Sequence, residues 1–345
     1  MERSKMDNKP FYKNKRILVT GGVGSIGSQL VKKILEYDPF IVRVFDNNET
    51  GLFDLENELN SNKIRPLIGD IRDKERLLMA FDGIDIVFHA SALKHVPLCE
   101  SNPFDAVKTN VIGTQNVLDA ALSREVEKVI NISTDKAVNP TNVMGATKLL
   151  AERLTISANY YRGLKRTVFS SVRFGNVLNS RGSVIPLFKK QIQSGGPVTI
   201  TDKKMTRFFM DIPSAVELIV NAGRICNGRE IFILKMTAMK ITDLADATIE
   251  EFAPVYGFNP EDIKIKIIGK RGGEKTFEEL MTKEEAEYAY ENDEMFIILP
   301  QKITNEEPFQ AKKPPSFKKA RIEEFSSRNT NFLNRDEIRT LLRKI

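Results

Sequence analysis

Short runs of apolar, mostly β-branched residues alternate with longer amphipathic segments between Lys15 and Arg173. The short runs are typical of buried strands, whereas apolar positions three or four residues apart predict helices that bury one face. Regular alternation of the two is typical of strand–helix–strand units around a parallel sheet, so we predict a doubly wound α/β domain. The predicted buried strands are Arg16–Thr20, Ile41–Phe45, Ile64–Ile68, Asp85–His89, Lys128–Ile132 and Thr167–Val172, and the predicted helices begin near Ser25, Thr50, Asp73, Pro103 and Val143.

A glycine-rich turn, Thr20–Gly27, follows the first predicted strand and leads into a helix. Glycines at intervals of three permit a tight turn and a close approach of the backbone to a pyrophosphate, while the helix N-terminus supplies N–H donors. Asp46 ends the second strand about 20 residues further on, where a carboxylate would bind the adenosine ribose and repel a 2′-phosphate. We therefore predict a Rossmann-type site for NAD rather than NADP. Arg43 lies on the other face of that strand and is expected to be solvated.

The alternation of strand-like and helix-like segments becomes less regular after Arg173, where Gly and Pro become frequent. This change predicts three segments: a basic N-terminal tail over residues 1–14, an NAD-binding Rossmann domain over 15–175, and a smaller, interleaved substrate-binding lobe over 176–345 with a soft boundary. The tail is expected to be solvated. Residues Gln310–Arg321 are expected to form an extended connection, and a last helix should begin near Arg335.

Composition narrows the class of protein. Hydrophobic residues make up 41% and charged residues 28% of the 345 residues, as in ordinary globular proteins. The net charge of +6 is interspersed along the chain, which favours a solvated surface over a nucleic-acid groove. Cys99 and Cys226 stand alone, and His89 ends a buried strand, so we expect neither disulfides nor a metal site. No segment approaches the ~20 apolar residues that span a bilayer. We expect a cytoplasmic protein without nucleic-acid binding or membrane insertion.

Polar residues follow the fifth predicted strand in the string Ser133–Lys136. Ligands of open parallel sheets bind outside the carboxyl ends of the strands, so Thr134, Asp135 and Lys136 are candidate catalytic residues. The same residue types are common in turns and helix caps, and position alone leaves both interpretations open. Lys148 lies four residues after Met144, on one face of the next predicted helix.

The glycine turn, Ser133–Lys136 and Gly145–Lys148 resemble the extended short-chain dehydrogenase/reductase superfamily, which normally has tyrosine at the position of Met144. Further strings make the chain similar to the nucleotide-sugar 4,6-dehydratases of the polysaccharide-biosynthesis group, which act on UDP-N-acetylglucosamine. These strings are Ala92–Pro97, Arg173–Leu178, Arg181–Pro186 and Arg271–Lys275. The resemblance runs from about Lys15 to Leu342 and implies a homo-oligomer.

The resemblance implies a closed redox cycle, in which NAD+ takes a hydride from C4 of the sugar and returns it to C6 after water leaves across C5 and C6. Asp135 would protonate the leaving 6-hydroxyl, and Lys136 would remove the C5 proton. These roles require a protonated acid and a neutral amine, whereas attraction between the ionised forms opposes both.

Met144 departs from the superfamily pattern, because a thioether cannot exchange a proton with the 4-hydroxyl. Some members of the dehydratase group also carry Met at this position. Three interpretations stay open: Lys148 removes the proton as a neutral amine, Asp135 or water relays it, or Lys148 only holds the nicotinamide ribose.

Further candidates complete the predicted sites. The cofactor-binding candidates are Gly21, Gly24, Ser25, Ile26, Gly27, Asp46, Asn47, Asp70, Ile71, Ala90, Ser91, Ala92, Asn110, Lys148 and Phe174. The substrate-binding candidates are Lys94, His95, Asn176, Val177, Ser183, Val184, Ile185, Pro186, Thr199, Arg207, Arg271 and Glu274. By resemblance, Arg207 and Arg271 would bind the UDP diphosphate and Glu274 the ribose hydroxyls. Glu217, Glu278 and Glu279 are interpreted as solvated or capping charges.

Two alternatives to the dehydratase stay open. A UDP-sugar 4-epimerase shares the oxidation at C4 but needs no acid and base for elimination, so the Asp135–Lys136 pair favours the dehydratase. A catalytically silent NAD-binding sensor or scaffold is suggested by Met144.

Overall fold

The computed structural model describes residues 7–180, 182–300 and 313–344. The α-helices are α1 (Lys9–Tyr12), α2 (Ser25–Leu35), α3 (Glu49–Leu59), α4 (Lys74–Ala80), α5 (Val96–Ser101), α6 (Pro103–Ala106), α7 (Thr114–Ser123), α8 (Val143–Ser157), α9 (Val184–Gln193), α10 (Ile212–Ile225), α11 (Ile241–Phe252), α12 (Lys283–Ala286) and α13 (Arg335–Leu342). Val107–Gly113 is π-helical, and Asp135–Ala137 forms a 3-10 turn.

The strands are β1 (Arg16–Thr20), β2 (Ile41–Asp46), β3 (Ile64–Ile68), β4 (Ile86–His89), β5 (Lys128–Ile132), β6 (Val168–Arg173), β7 (Asn176–Val177), β8 (Val198–Ile200), β9 (Thr206–Met210), β10 (Ile231–Leu234), β11 (Thr237–Lys240), β12 (Ile265–Ile267), β13 (Glu279–Met281), β14 (Ala289–Glu291), β15 (Met295–Ile298), β16 (Lys318–Lys319) and β17 (Phe325–Ser326).

Within the described residues, the main sheet has ten strands in the order β16-β14-β15-β10-β6-β5-β4-β1-β2-β3. The strands from β10 to β3 pair in parallel, and β15 and β14 continue the sheet antiparallel. The sequence of neighbours β3-β2-β1-β4-β5-β6 is that of a doubly wound Rossmann sheet. The predicted fold class is therefore confirmed.

Successive residues of the central strands enter two different apolar layers. Ile17 and Val19 of β1 pack in a core with Leu30 of α2 and Ile219 of α10. Leu18, between them, packs on the opposite face in a core that includes residues of α4 and α7. This alternation follows from the two-residue period of a strand and covers both faces of the sheet with helices.

Two expectations about this half of the chain are wrong. The strand Ile64–Ile68 is not buried along its length, because β3 is the edge of the sheet and Ile68 is 55% exposed. Arg43 is not simply solvated: its guanidinium donates hydrogen bonds to the carbonyls of Ala80 and Asp82 at 2.8 and 2.6 Å. Arg43 thus holds the end of α4 against β2.

The N-terminal segment is packed rather than solvated from Asn8 onward. Tyr12 of α1 is fully buried, and its hydroxyl donates a hydrogen bond to the carbonyl of Val220 at 2.6 Å. The Asn8 side chain donates to Asn221 at 2.8 Å and to Glu217 at 3.3 Å. The part of the predicted tail before residue 7 lies outside the described residues.

The second half of the chain contributes to both parts of the fold. The strands β10, β14, β15 and β16 extend the main sheet, while β7, β9 and β11 form a separate small sheet. A second core joins α9, α11 and α13 through Phe188, Leu244 and Ile338. Residues 310–312 of the predicted connection lie outside the described residues, and the last helix begins at Arg335 as predicted. The domain boundary near residue 175 stays a prediction.

A buried ion network joins the two halves. The Arg173 guanidinium at the end of β6 is 1% exposed and donates to Glu152 of α8 and to Glu285 of α12. Burial alone would lower the pKa of Arg173, but the two carboxylates outweigh burial and raise it.

No helix in the described part of the chain combines the length and apolarity of a membrane span.

Replacing the buried ring of α1 tests the packing of the N-terminal segment. We expect Tyr12→Ala to lower the free energy of unfolding by about 3–5 kcal/mol, because it leaves a cavity and removes a buried hydrogen bond. Lys13→Ala, at the exposed neighbouring position, should stay within about 0.5 kcal/mol of the wild type. Urea denaturation measures both. Equal stability of the two variants would contradict the packed segment.

Candidate functional site

The glycine-rich turn brings together two of the predicted cofactor-binding segments. Gly21 has a φ of +66°, and a Cβ atom there would lie 2.7 Å from the backbone nitrogen of Ser91. The turn therefore packs directly on the Ala90–Ser91 segment after β4, which only glycine allows. Gly24 is the N-cap residue of α2, so this helix begins without a side-chain cap. A helix start of this kind suits a bound phosphate.

Asp46 stands at the end of β2, next to this turn. Its carboxylate accepts hydrogen bonds from the backbone nitrogens of Val23 and Asn48 at 3.2 and 3.1 Å. The acid thus fixes the glycine turn and presents a negative charge beside it. Asp70, after β3, accepts from the Arg72 guanidinium at 2.6 Å, and this bond lowers the pKa of Asp70. The two acids and the turn lie at the carboxyl ends of neighbouring strands.

Asp135 and Lys136 form an ion pair directly after β5, in which the carboxylate is fully buried and the lysine side chain is 23% exposed. The Asp135 Oδ1 atom accepts hydrogen bonds from Lys136 Nζ at 2.9 Å and from Thr134 Oγ1 at 2.8 Å. Lys136 Nζ also donates to Asn176 Oδ1 at 3.1 Å, so the substrate candidate Asn176 is part of the same site. Asp135 is fully buried, and its Oδ2 atom has no hydrogen-bond partner among the described residues.

Glu278 also lies in this site, which corrects its interpretation as a solvated charge. Its side chain is 4% exposed, and its Oε1 atom is 3.9 Å from Lys136 Nζ and 3.7 Å from Arg207 Nε. No local pattern signals this burial, because Leu280 and Met281 are both fully buried and a two-residue period therefore does not distinguish Glu278 from Glu279. Glu279 points to the other side, toward Asn139.

The pKa values of the two lysines of the site are shifted in opposite directions. Burial lowers the pKa of Lys136, but the charges of Asp135 and Glu278 outweigh burial and raise it. Lys148 donates to the carbonyl of Ile132 at 2.6 Å. Burial lowers the pKa of Lys148 to about 8, with only partial opposition from Glu152. Lys148 is therefore the amine that loses its proton more easily.

Close packing holds α8 against the acid–base turn. A Cβ atom on Gly145 would lie 2.3 Å from the carbonyl oxygen of Lys136, so glycine lets the helix approach this turn. Met144 is 3% exposed and packs in a small apolar cluster with Cys99 and Ala106. Its environment is that of a core residue.

Asn110 has structural partners rather than an open side chain. It is 1% exposed, its Oδ1 atom accepts from the backbone of Leu93, and its Nδ2 atom donates to the carbonyl of Leu93 and to Thr147 Oγ1. These bonds tie the loop after β4 to α8. Ile71 and Phe174 are buried, and the carbonyl of Phe174 accepts from the backbone nitrogen of Asp135 at 3.1 Å.

Arg207 is a buried residue of β9 and packs against the loop that carries Arg271, the other diphosphate candidate. Its Nη1 atom donates to the carbonyl of Thr206, and its Nη2 atom donates to the carbonyl of Lys275 at 2.8 Å. These bonds hold the loop rather than leaving the guanidinium open. Arg271 is exposed, and its backbone nitrogen donates to Glu274 at 3.2 Å.

The remaining substrate candidates have different surroundings. Ile185 is buried in the second core and Val177 in the first. Thr199 exchanges hydrogen bonds with Gln191 of α9. The exposed His95 lies against Gly182, where a Cβ atom would be 2.5 Å from its ring. Lys94 is exposed beside it, and Ser183 precedes α9 with a buried hydroxyl that has no partner among the described residues.

The chain is similar to known proteins over nearly all of its length. A family profile described as polysaccharide biosynthesis protein matches residues 17–300. The uncharacterized membrane protein MJ1061 of Methanocaldococcus jannaschii is 57% identical over 98% of both chains. A UDP-N-acetylglucosamine 4,6-dehydratase (inverting) of Campylobacter jejuni is 43% identical over 84% of both, and a UDP-glucose 4-epimerase of Rickettsia canadensis is 38% identical over 96% of both.

A solved structure agrees with the fold over the same length. The X-ray structure of Pen from Bacillus thuringiensis has a TM-score of 0.89 and 45% sequence identity, covering 97% of this chain and 98% of that one.

The lowered pKa of Lys148 predicts a pH effect on stability. With a folded pKa of about 8 against an ordinary 10.5, the unfolded chain binds more protons between these values, so stability rises with pH. We expect the wild type to gain up to about 1.4 kcal/mol per pH unit over Lys148→Met in this window. Lys190→Met supplies the effect of the same change at an exposed site. A wild-type advantage independent of pH would contradict the burial of a titrating amine.

Proposed function

Because the chain belongs to the family of polysaccharide biosynthesis proteins, we propose that it is a UDP-N-acetylglucosamine 4,6-dehydratase that uses NAD. The family membership confirms the resemblance that the motifs indicated. The product would be a UDP-4-keto-6-deoxy-N-acetylhexosamine, a precursor for glycan synthesis. The observation that carries the proposal is the hydrogen bond between the buried Asp135 carboxylate and Lys136, at the same edge of the sheet as the glycine turn.

The residues around the glycine turn fit NAD. The close approach at Gly21 and the uncapped start of α2 suit the pyrophosphate, and the Asp46 carboxylate suits the adenosine ribose. Bound there, NAD+ would supply the hydride chemistry that neither an acid nor an amine can provide. The protein then has to place the sugar and move protons.

The Asp135–Lys136 pair supplies an acid and a base when water is excluded. At 2.9 Å, the shared proton passes from Lys136 Nζ to Asp135 Oδ1, which turns the ion pair into a neutral acid and a neutral amine. A bound sugar favours this change, because a dry site disfavours charges. The neutral amine removes the C5 proton, and Asp135 gives its proton to the leaving 6-hydroxyl. Water forms, and the pair returns to its ionised state.

Lys148 is the proposed acceptor of the 4-hydroxyl proton. Its amine has a pKa near 8 and a single carbonyl partner in its Nζ hydrogen bonds described here, so the neutral form is accessible near neutral pH. The proton that Lys148 takes replaces the one that leaves with the water, after Lys136 returns its own proton to C5. Met144 contributes packing and no proton transfer.

The substrate would lie between the acid–base turn and the second lobe. Asn176 contacts Lys136 and is placed to bind the sugar, while the exposed Arg271 is the guanidinium available for the diphosphate. Glu274 would bind the uridine ribose. Arg207 would act by holding this loop. Assembly as a homo-oligomer and a cytoplasmic location stay predictions.

The mass of the product separates the candidate reactions. We expect incubation with NAD and UDP-N-acetylglucosamine to give a nucleotide sugar lighter by one water. The epimerase named among the relatives would instead give an isomer of unchanged mass. An unchanged substrate with retained NAD binding would favour a silent binding protein, and either of these two results would refute the dehydratase.

Removing the proposed C5 base tests the role of Lys136. Lys136→Ala should lower turnover by about 10²–10⁴-fold and abolish deuterium incorporation at C5 from D2O, because no amine remains to exchange the C5 proton. Lys74→Ala, on the exposed side of α4, should behave as the wild type. If Lys136→Ala forms product at the wild-type rate and this product carries deuterium at C5, another group is the base.

A further inference from the structure

The proposed reaction gives no role to Glu278, although its carboxyl reaches into the acid–base site. Its Oε1 atom lies between two cations, 3.9 Å from Lys136 Nζ and 3.7 Å from Arg207 Nε. Its Oε2 atom is buried and has no hydrogen-bond partner among the described residues. A buried acceptor without a partner is costly, so a solvated or capping charge does not explain this position.

The backbone of Glu278 is fixed from the second half of the chain. Its nitrogen donates to Ser327 Oγ at 2.9 Å, and its carbonyl accepts from the backbone nitrogen of Ser327 at 2.8 Å. The carboxyl is thereby aimed at Lys136, which comes from the first half. Asp135 meets the same amine at 2.9 Å. Lys136 is thus flanked by two acids that reach it from different parts of the fold.

We propose that Glu278 is a positioning residue of the acid–base site: it holds the Lys136 side chain between two carboxylates and governs whether that amine carries a proton. The consequence for turnover rests on the proposed dehydratase function. The effect on Lys136 itself does not, because it depends only on the contacts of the described residues.

The charges around Lys136 set the direction of the effect. Asp135 and Glu278 favour its protonated form, whereas Arg207 on β9 opposes it. Burial raises the pKa of Glu278 and Asp135 adds to the rise, while the charges of Lys136, Arg207 and Lys275 oppose it only in part. Removing the negative charge of Glu278 leaves Lys136 with one acid and one opposing cation, so the amine should lose its proton at a lower pH.

The test measures the protonation of Lys136 directly in the full chain. Trace labelling with acetic anhydride at a series of pH values, read by mass spectrometry of the Lys136 peptide, gives the midpoint at which the amine becomes reactive. The Lys136 side chain is 23% exposed, so a small reagent can reach it. Glu278→Gln keeps the shape and removes the charge, and we expect it to lower the midpoint by about one pH unit.

Two further variants complete the design. Glu278→Asp withdraws the charge by one methylene and should give a smaller shift in the same direction, which provides a result even if the glutamine variant does not fold. Glu279→Gln removes the neighbouring acid, which faces Asn139 and Lys275, and should leave the midpoint where it is in the wild type. An unchanged midpoint in the folded Glu278 variants, or an equal shift in Glu279→Gln, would overturn the proposal.

The pH profile of kcat carries the inference to turnover. The limb of the profile that falls at high pH should move to lower pH in Glu278→Gln together with the labelling midpoint, because a pair that has lost its shared proton leaves Asp135 nothing to donate. A uniform loss of kcat at every pH, with the midpoint unchanged, would reduce Glu278 to a structural residue. A shifted midpoint in a chain that releases no water from any UDP-sugar would uphold the role of Glu278 and refute the dehydratase, so the two failures are distinguishable.

Discussion

A charge that is buried needs a partner, and in this protein the partners come from distant parts of the chain. Arg173 at the end of β6 is held by Glu152 of α8 and Glu285 of α12. Lys136 is held by Asp135 and faces Glu278. Removing Glu152 would cost about 3–5 kcal/mol, because the Arg173 charge would stay buried. The relative placement of the two halves and the ionisation of the site therefore depend on the same contacts.

The same requirement explains why two lysines within one site behave differently. Lys136 stands between carboxylates, so attraction outweighs burial and its proton is held tightly. Lys148 meets a neutral carbonyl, and the one acid that raises its pKa, Glu152, is already engaged by Arg173. Burial then dominates and the amine is weakly basic. A fold with no tyrosine in the position of Met144 thus contains both a strongly and a weakly basic amine.

Local sequence patterns are sufficient to predict the main parallel strands and the position of the site. The apolar runs predicted six parallel strands within a residue or two. Five of them lie inside the sheet, where burial on both faces requires a largely apolar run, whereas β3 is its partly exposed edge. The glycine turn and the string Thr134–Lys136 follow from the rule that ligands bind at the carboxyl ends of such strands. These features depend on neighbours in sequence, which is why the sequence alone reveals them.

The misjudged residues depend on partners that are far away in sequence. The hydroxyl of the buried Tyr12 donates to the carbonyl of Val220, and Arg43 donates to the carbonyls of Ala80 and Asp82. Glu278 likewise lies near Lys136 and Arg207, which come much earlier in the sequence. The mixed order of the main sheet has one further consequence. The free edge of β6 meets its partner β10 only when residues 231–234 have left the ribosome, so an exposed, pairing-competent edge persists during synthesis. Chaperone capture of the nascent chain would act in that interval.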